Sequence, residues 1–282
     1  MKSDCHMHMI LDGYEWKSAI HRHSETPDIP WIREQLSIYR DLGYTYLRDG
    51  GDRWGAGAAA RDLAEEYGIR YRTPLAPICK AGHYGAFIGE KYETYRDFTD
   101  LVRQHRKNGA DFIKIMISGL MDFDRFGVLS EPPLEPEEIR ELIHISHEEG
   151  FSVMVHCNGA RTALAAAEAG VDSIDHGAYL DEDALQAMAE YGCVWVPTLS
   201  TIGNLRGKGR FREEAVQAIL HSALKNVEVF AGMGGLLAPG TDAGAWAVPH
   251  GSQTEVPLLR LALGADTEAI LEKGTALIQK KF

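Results

Sequence analysis

The sequence predicts an α/β protein built as one closed (β/α)8 TIM barrel, and three observations carry that reading. Short apolar, β-branched runs recur along the chain. Helical patterns lie between them, most ending at a glycine suited to the left-handed conformation that follows a helix. The length of 282 residues suits one such barrel.

The strand runs are 4–9, 44–48, 69–72, 112–116, 151–155, 171–174, 193–196 and 236–239, each too short for a buried helix. All but the first follow a stop glycine: Gly43, Gly68, Gly109, Gly150, Gly170, Gly192 and Gly235. Apolar residues at three- and four-residue spacing predict helices over 31–42, 58–67, 94–107, 137–149, 162–169, 182–191 and 213–230, with a terminal helix over 258–282. Such alternation lays helices over parallel strands. An open doubly wound sheet alternates in the same way, but its first strand leads into a glycine-rich phosphate turn, and none follows His8. The expectation is therefore a single barrel domain over residues 1–282.

Composition is globular, at 45% hydrophobic and 25% charged. Lys and Arg total 29 against 41 Asp and Glu, a net charge of -12 that repels polyanions and argues against a nucleic-acid partner. No apolar run approaches the ~20 residues of a membrane-spanning helix, and residues 1–6 lack the apolar stretch of a signal peptide. A cytoplasmic protein is expected. Cys5, Cys79, Cys157 and Cys193 form no CxxC pair, so they are expected to be reduced and to build neither a disulfide framework nor a structural zinc site.

Three linkers are long, 11–30, 80–92 and 118–133, and each follows a strand. In a barrel those loops build the active face, so the asymmetry marks where function lies.

Residues at the strand ends are unusual for apolar runs. His156, His176 and Asp242 fall six or seven positions after their glycines. On the first strand, His6 and His8 are two apart, which puts both side chains on one face within reach of one ion. One such histidine is more often a satisfied core residue than a ligand, by roughly two to one. Five donors at strand ends reverse those odds, and the set suits zinc or a similar divalent ion. Lys114, inside Phe112-Ile113-Lys114-Ile115-Met116, points into the barrel without an obvious partner. An ammonium cannot ligate a cation. Lys114 is either neutral, placed elsewhere, or carboxylated by CO2 to a bridging carbamate, and the last explains its burial best.

These stretches resemble the amidohydrolase superfamily, in the branch related to imidazolonepropionase and to metal-dependent Xaa-Pro or Xaa-Arg dipeptidases. The resemblance covers nearly the whole chain. It rests on Asp4-Cys5-His6-Met7-His8, Phe112-Ile113-Lys114-Ile115, His156-Cys157-Asn158-Gly159, Ile174-Asp175-His176-Gly177 and Gly240-Thr241-Asp242-Ala243-Gly244. It implies two divalent ions, with Zn²⁺ expected: His6, His8 and Asp242 on the first, His156 and His176 on the second, and carboxylated Lys114 between them. It also implies hydrolysis of an amide C–N bond, in a dipeptide, N-acyl amino acid or cyclic amide, by a metal-activated hydroxide with Asp242 as general base. Ala81-Gly82-His83-Tyr84 takes the place of a family element after the third strand, which makes His83 a candidate substrate contact. Most relatives carry a β-sandwich made from both chain ends, whereas only five residues precede His6 and the far end reads helical. The accessory sandwich is expected to be missing, in a compact barrel or a part of a longer protein.

Other residues have plainer readings. Asp49 and Asp52 favour a hydrogen-bonded turn over binding by about two to one. His21 and His23 read as solvated, and His144 and His147 as one outer helix face. His250 stands at even odds as a substrate contact, Tyr84 is a further candidate substrate contact, and Tyr84, Arg125 and Trp246 read as pocket residues on functional loops, though no spacing rule picks them out. A small-molecule substrate is expected, and a homo-oligomer stays open. Competing functions are a lactonase or deaminase on the same fold, a lyase using Lys114 as a Schiff-base nucleophile, and a metal-binding barrel without turnover.

Overall fold

Parallel ladders join the strands of the structure, a computed structural model that describes residues 2–282. One sheet holds β1 (Lys2–Met7), β2 (Tyr44–Asp49) and β3 (Arg70–Arg72) in that order. The other contains β4 (Ile78–Lys80), β5 (Glu90–Tyr92), β6 (Ile113–Met116), β7 (Val153–Cys157), β8 (Ser173–His176), β9 (Val194–Val196) and β10 (Leu236–Leu237), running β10-β9-β8-β7-β6-β4-β5. Hydrogen bonds outside the ladders link the two. Asp111 N donates to Thr73 O (3.0 Å) between β3 and β6, while Cys5 N donates to Pro239 O (2.8 Å) and Asp242 N to His6 O (2.7 Å) between β1 and the segment after β10. The result is the TIM-barrel order of eight strands, with β4 and β5 as an added pair.

Helices cover the ring: α1 (Trp16–Arg22), α2 (Ile29–Asp41), α3 (Ala56–Ala64), α4 (Tyr95–Lys107), α5 (Pro136–Glu148), α6 (Ala160–Glu168), α7 (Glu182–Glu190), α8 (Ser200–Gly203), α9 (Glu213–Gly232), α10 (Glu255–Leu263) and α11 (Thr267–Lys281). Local chemistry sets their ends. Thr94 and Asp97 form a reciprocal capping box on α4, and Asp181 caps α7. Two expectations are corrected here. The segment 80–92 is framed by β4 and β5 rather than being open linker, and β4 adds to β6 in parallel. The terminal helix is two helices, parted by a 3-10 turn at Gly264, where φ is +61°.

Inside the ring, Tyr46, Phe112, Met154, Val194 and Ala238 form one buried cluster with Ile278 and Phe282 at the end of α11. Two residues further along their chains stand Arg48, Lys114 and His156. Because a strand's side-chain period is two, a polar layer rests directly on an apolar one.

Gly274 lets α11 approach β10, since a Cβ there would come within 2.5 Å of the Leu237 carbonyl carbon. Gly274→Ala gains up to about 1 kcal/mol in helix propensity but forces an overpacked contact costing about 1–3 kcal/mol. The variant should melt at a lower temperature than the parent. Gly232→Ala, on α9 with nothing within 4 Å of the new methyl, should melt higher.

Candidate metal centre

Three donors converge at the C-terminal end of the ring. His6 Nε2 and His8 Nε2 lie 3.3 Å apart, and Asp242 Oδ1 stands 3.5 Å from the first and 3.6 Å from the second. Among the described residues they form the one group of three such donors lying within 4.8 Å of one another. His8 lies just beyond the end of β1, held by its amide donating to Ala243 O (2.7 Å). Its ring needs Gly50: a Cβ there would sit 2.6 Å from His8 Nε2.

His156 and His176 stand beside this group. Their ring centroids are 4.5 Å apart, and that of His176 is 4.9 Å from that of His6. Partners of the opposite nitrogens point to the tautomers. His6 Nδ1 meets Asp175 Oδ2 at 2.6 Å, an acceptor-only partner that leaves Nε2 as the lone-pair donor, while His176 Nδ1 meets Thr198 Oγ1 at 2.7 Å, a hydroxyl that can donate or accept. His156 engages Gly119 O through Nε2 (3.2 Å), which leaves Nδ1.

Burial first, and the Lys114 charge second, hold the His8 and His156 imidazoles down at about 3. Burial likewise pushes His6 and His176 well below the usual imidazole range. Neutral imidazoles are the ligating form. Lys114 Nζ is buried with no hydrogen-bond partner. Burial lowers its pKa and raises that of Asp242, with which it shares the cavity. Neutral imidazoles and a carboxylate together fit a divalent cation, and Lys114 fits beside one only once its nitrogen no longer carries a positive charge.

Two supports went unread in the sequence. Asp175 and Arg48 are fully buried: Asp175 accepts from His6, from Ser173 Oγ (2.6 Å) and from Arg48 Nη2 (3.1 Å), and Arg48 Nε donates to Cys5 O (2.7 Å). Asp4 accepts from Thr241 N (2.9 Å) and Thr241 Oγ1 (2.5 Å), which anchors the turn before Asp242. A charge at the edge of an apolar run was the signal for both, weaker than that of Lys114, which lies inside its run. His176, Thr198 and Asp242 also have φ of +73°, +47° and +55°, a conformation that non-glycine residues seldom hold.

The remaining candidates are spread unevenly. A cavity of about 790 Å³ opens over the donors, with Lys114, His156, His176 and Tyr84 in its wall. Tyr84 packs its ring 4.8 Å from that of His156. His83 lies outside that wall, its Nδ1 3.3 Å from Glu131 Oε1. His250 also lies outside, with Nδ1 on Tyr39 Oη (3.1 Å) and Nε2 on Leu11 O (2.8 Å), so both its ring nitrogens are engaged. Asp49 is the last residue of β2 and accepts from Thr73 Oγ1 (2.9 Å), whereas Asp52, in the turn before α3, accepts from Gly57 N (2.8 Å). His23 is buried rather than solvated, packed against Trp31 at 5.3 Å.

A family model described as the amidohydrolase family matches residues 39–263. The chain belongs to the amidohydrolase family. Among curated members, it is 26% identical over 309 residues to an ochratoxinase of Aspergillus niger, covering 92% of this chain and 62% of that protein. It thus spans less than two thirds of that relative's length. Among solved structures, it resembles a Xaa-Pro dipeptidase with bound methionine (TM-score 0.78, 22% identity, 99% of this chain and 75% of that one). The A. niger ochratoxinase structure is similar to it in fold as well (TM-score 0.79, 23% identity, 99% and 70%).

Gly50 has an ordinary negative φ, so Gly50→Ala strains no backbone and acts through the His8 ring. The purified variant should keep its far-UV spectrum and bind less zinc in equilibrium dialysis. Asp175→Asn should weaken zinc affinity about 10- to 100-fold, read by competition with a chromogenic chelator. Unaltered affinity would show that Asp175 does not set the His6 donor.

Proposed function

We propose that this chain is a binuclear, divalent-metal-dependent hydrolase of amide C–N bonds. The observation that carries the reading is the convergence of His6, His8 and Asp242 beside the unpartnered Lys114. Its first cation is held by His6, His8 and Asp242, its second by His156 and His176. Carboxylated Lys114 joins them, and zinc is the metal best suited to the imidazole-rich set. When bound, such a pair polarises a carbonyl and acidifies water, the two things amide hydrolysis needs near neutral pH.

The chain's own residues do the rest. Asp242 takes the proton of the attacking water and delivers it to the leaving nitrogen. Tyr84, on the wall beside His156, offers a phenol hydroxyl to the substrate. His83 acts through Glu131, whose Oε1 also accepts from Tyr84 N (2.7 Å), and so steadies the loop that carries Tyr84. His250 closes the Tyr39–Leu11 contact behind the site. The substrate is a small amide, drawn from dipeptides, N-acyl amino acids or cyclic amides.

Two ions per chain should be found by metal analysis, and hydrolysis should vanish with a chelator and return with Zn²⁺. Asp242→Asn should fold and lose about 10²- to 10⁴-fold in turnover, the range of a general base. Full turnover in that variant removes Asp242 from the proton path. One ion per chain, or activity indifferent to chelation, overturns the binuclear reading.

A further inference from the structure

Glu255, the first residue of α10, is a buried carboxylate with no part in the site as described, being only 2% exposed. Its partners are all neutral donors: Leu199 N (3.0 Å) on Oε1, and Ser200 N (2.7 Å) and Ser200 Oγ (2.8 Å) on Oε2. Burial pushes its carboxyl up to about 8. A carboxylate held at that depth by neutral groups costs stability that a well-packed apolar side chain would not. Stability therefore does not explain it.

What Glu255 holds is the segment between β9 and α8. Thr198 sits there at φ +47°, a left-handed conformation that a β-branched residue keeps only when its surroundings impose it. Its carbonyl accepts from Thr201 N (3.1 Å) and Thr201 Oγ1 (2.8 Å). Glu255 fixes the next two amides, and Thr254 Oγ1 donates to Ser200 Oγ (3.0 Å) beside it. Held in this way, Thr198 meets His176 Nδ1 through its hydroxyl at 2.7 Å. His176 is itself at φ +73°, its carbonyl accepting from Trp195 Nε1 (3.0 Å). A chain of short contacts thus runs from α10 to an imidazole in the cavity wall.

We propose that Glu255 is a positioning residue for one of the two cations: it fixes the turn at Thr198, and Thr198 fixes the ring of His176. This rests on the binuclear reading, in which His176 and His156 hold that cation. The other donors are set by other partners. His6 is oriented by Asp175, His156 by Gly119 O, and Asp242 by the turn that Asp4 anchors through Thr241. Loss of Glu255 should therefore loosen one cation and spare the other.

Zinc is titrated against a chromogenic chelator into wild type, Glu255→Gln and Leu258→Ala. Leu258 lies further along α10 and packs on Gly203, so its truncation weakens the same helix without touching the polar link. Glu255→Gln keeps the shape but turns an amino group toward a backbone N–H. It should hold one of two zinc ions about tenfold more weakly, the lower end of the loss seen when a ligand's partner is removed, and the other unchanged. Leu258→Ala should melt lower yet keep both affinities. In the zinc-free proteins, the ring-nitrogen NMR signals of His176, assigned by their absence in His176→Gln, should shift in Glu255→Gln and stay in place in Leu258→Ala. If Glu255→Gln does not fold, Ser200→Ala, which removes one of the three bonds, should give the same changes at smaller size. Equal weakening of both ions in Glu255→Gln, or loss of one ion in Leu258→Ala as well, reduces the link to packing and overturns the proposal. Unshifted His176 signals do so too. A single ion in wild type together with shifted His176 signals overturns the binuclear reading while supporting the positioning of His176.

Discussion

The buried Asp175 carboxylate is the constraint on which the site is built. It sits inside the ring with no exposure, and its three partners reach it from different strands: His6 from β1, Arg48 from β2 and Ser173 from β8. An ionised carboxylate at that depth is tolerable only when its hydrogen-bonding capacity is filled and a cation balances its charge. Arg48 supplies the balance, its guanidinium lying 4.6 Å over the Phe282 ring. The short bond to His6 Nδ1 then leaves Nε2 as the inward lone pair. One interaction thus satisfies a buried charge, joins three strands and orients a donor.

Backbone strain gathers at the same rim. His176, Thr198 and Asp242 all hold left-handed φ values, each costing about 1–3 kcal/mol relative to a relaxed conformation. Thr198 supports His176, and Asp242 follows a turn anchored by Asp4 through Thr241. The surrounding hydrogen bonds overdetermine these residues, which keeps them in conformations the chain alone would leave. The apolar layer below, closed by Ile278 and Phe282, gives that rim a rigid floor.

Most of the ring was legible because two periodicities repeat: helices that stop at glycine, and strands that begin soon after. Counting from each glycine placed Lys114, His156, His176 and Asp242 at strand ends, and the structure sets them around one cavity with His6 and His8. The β4–β5 pair was not legible, since Ile78–Lys80 and Glu90–Tyr92 are three residues each and carry no apolar alternation. His83 and His250 looked like their neighbours in sequence, and only the fold shows one turned to Glu131 and the other engaged at both nitrogens. Arg48 ends the run 44–48 and Asp175 directly follows the run 171–174, so neither breaks an apolar pattern. Lys114, by contrast, interrupts its run, with apolar residues on both sides.

The division between strand ends and loops explains why the donors are readable and the substrate is not. Donors must meet within a few ångströms, so the fold confines them to fixed positions on rigid strands, and spacing reveals them. The cavity's outer wall comes from loops, where Trp16, Phe87, Phe123 and Arg210 are brought together by tertiary ties such as Arg212 N to Asp124 Oδ1. No short-range pattern in a sequence encodes such ties. Loops can therefore change the molecules admitted to a barrel while its strand ends keep one set of donors. Here the two parts meet at a single turn, closed by Ala245 N donating to Asp242 O (3.0 Å), with Asp242 at its start and Trp246 directly after it.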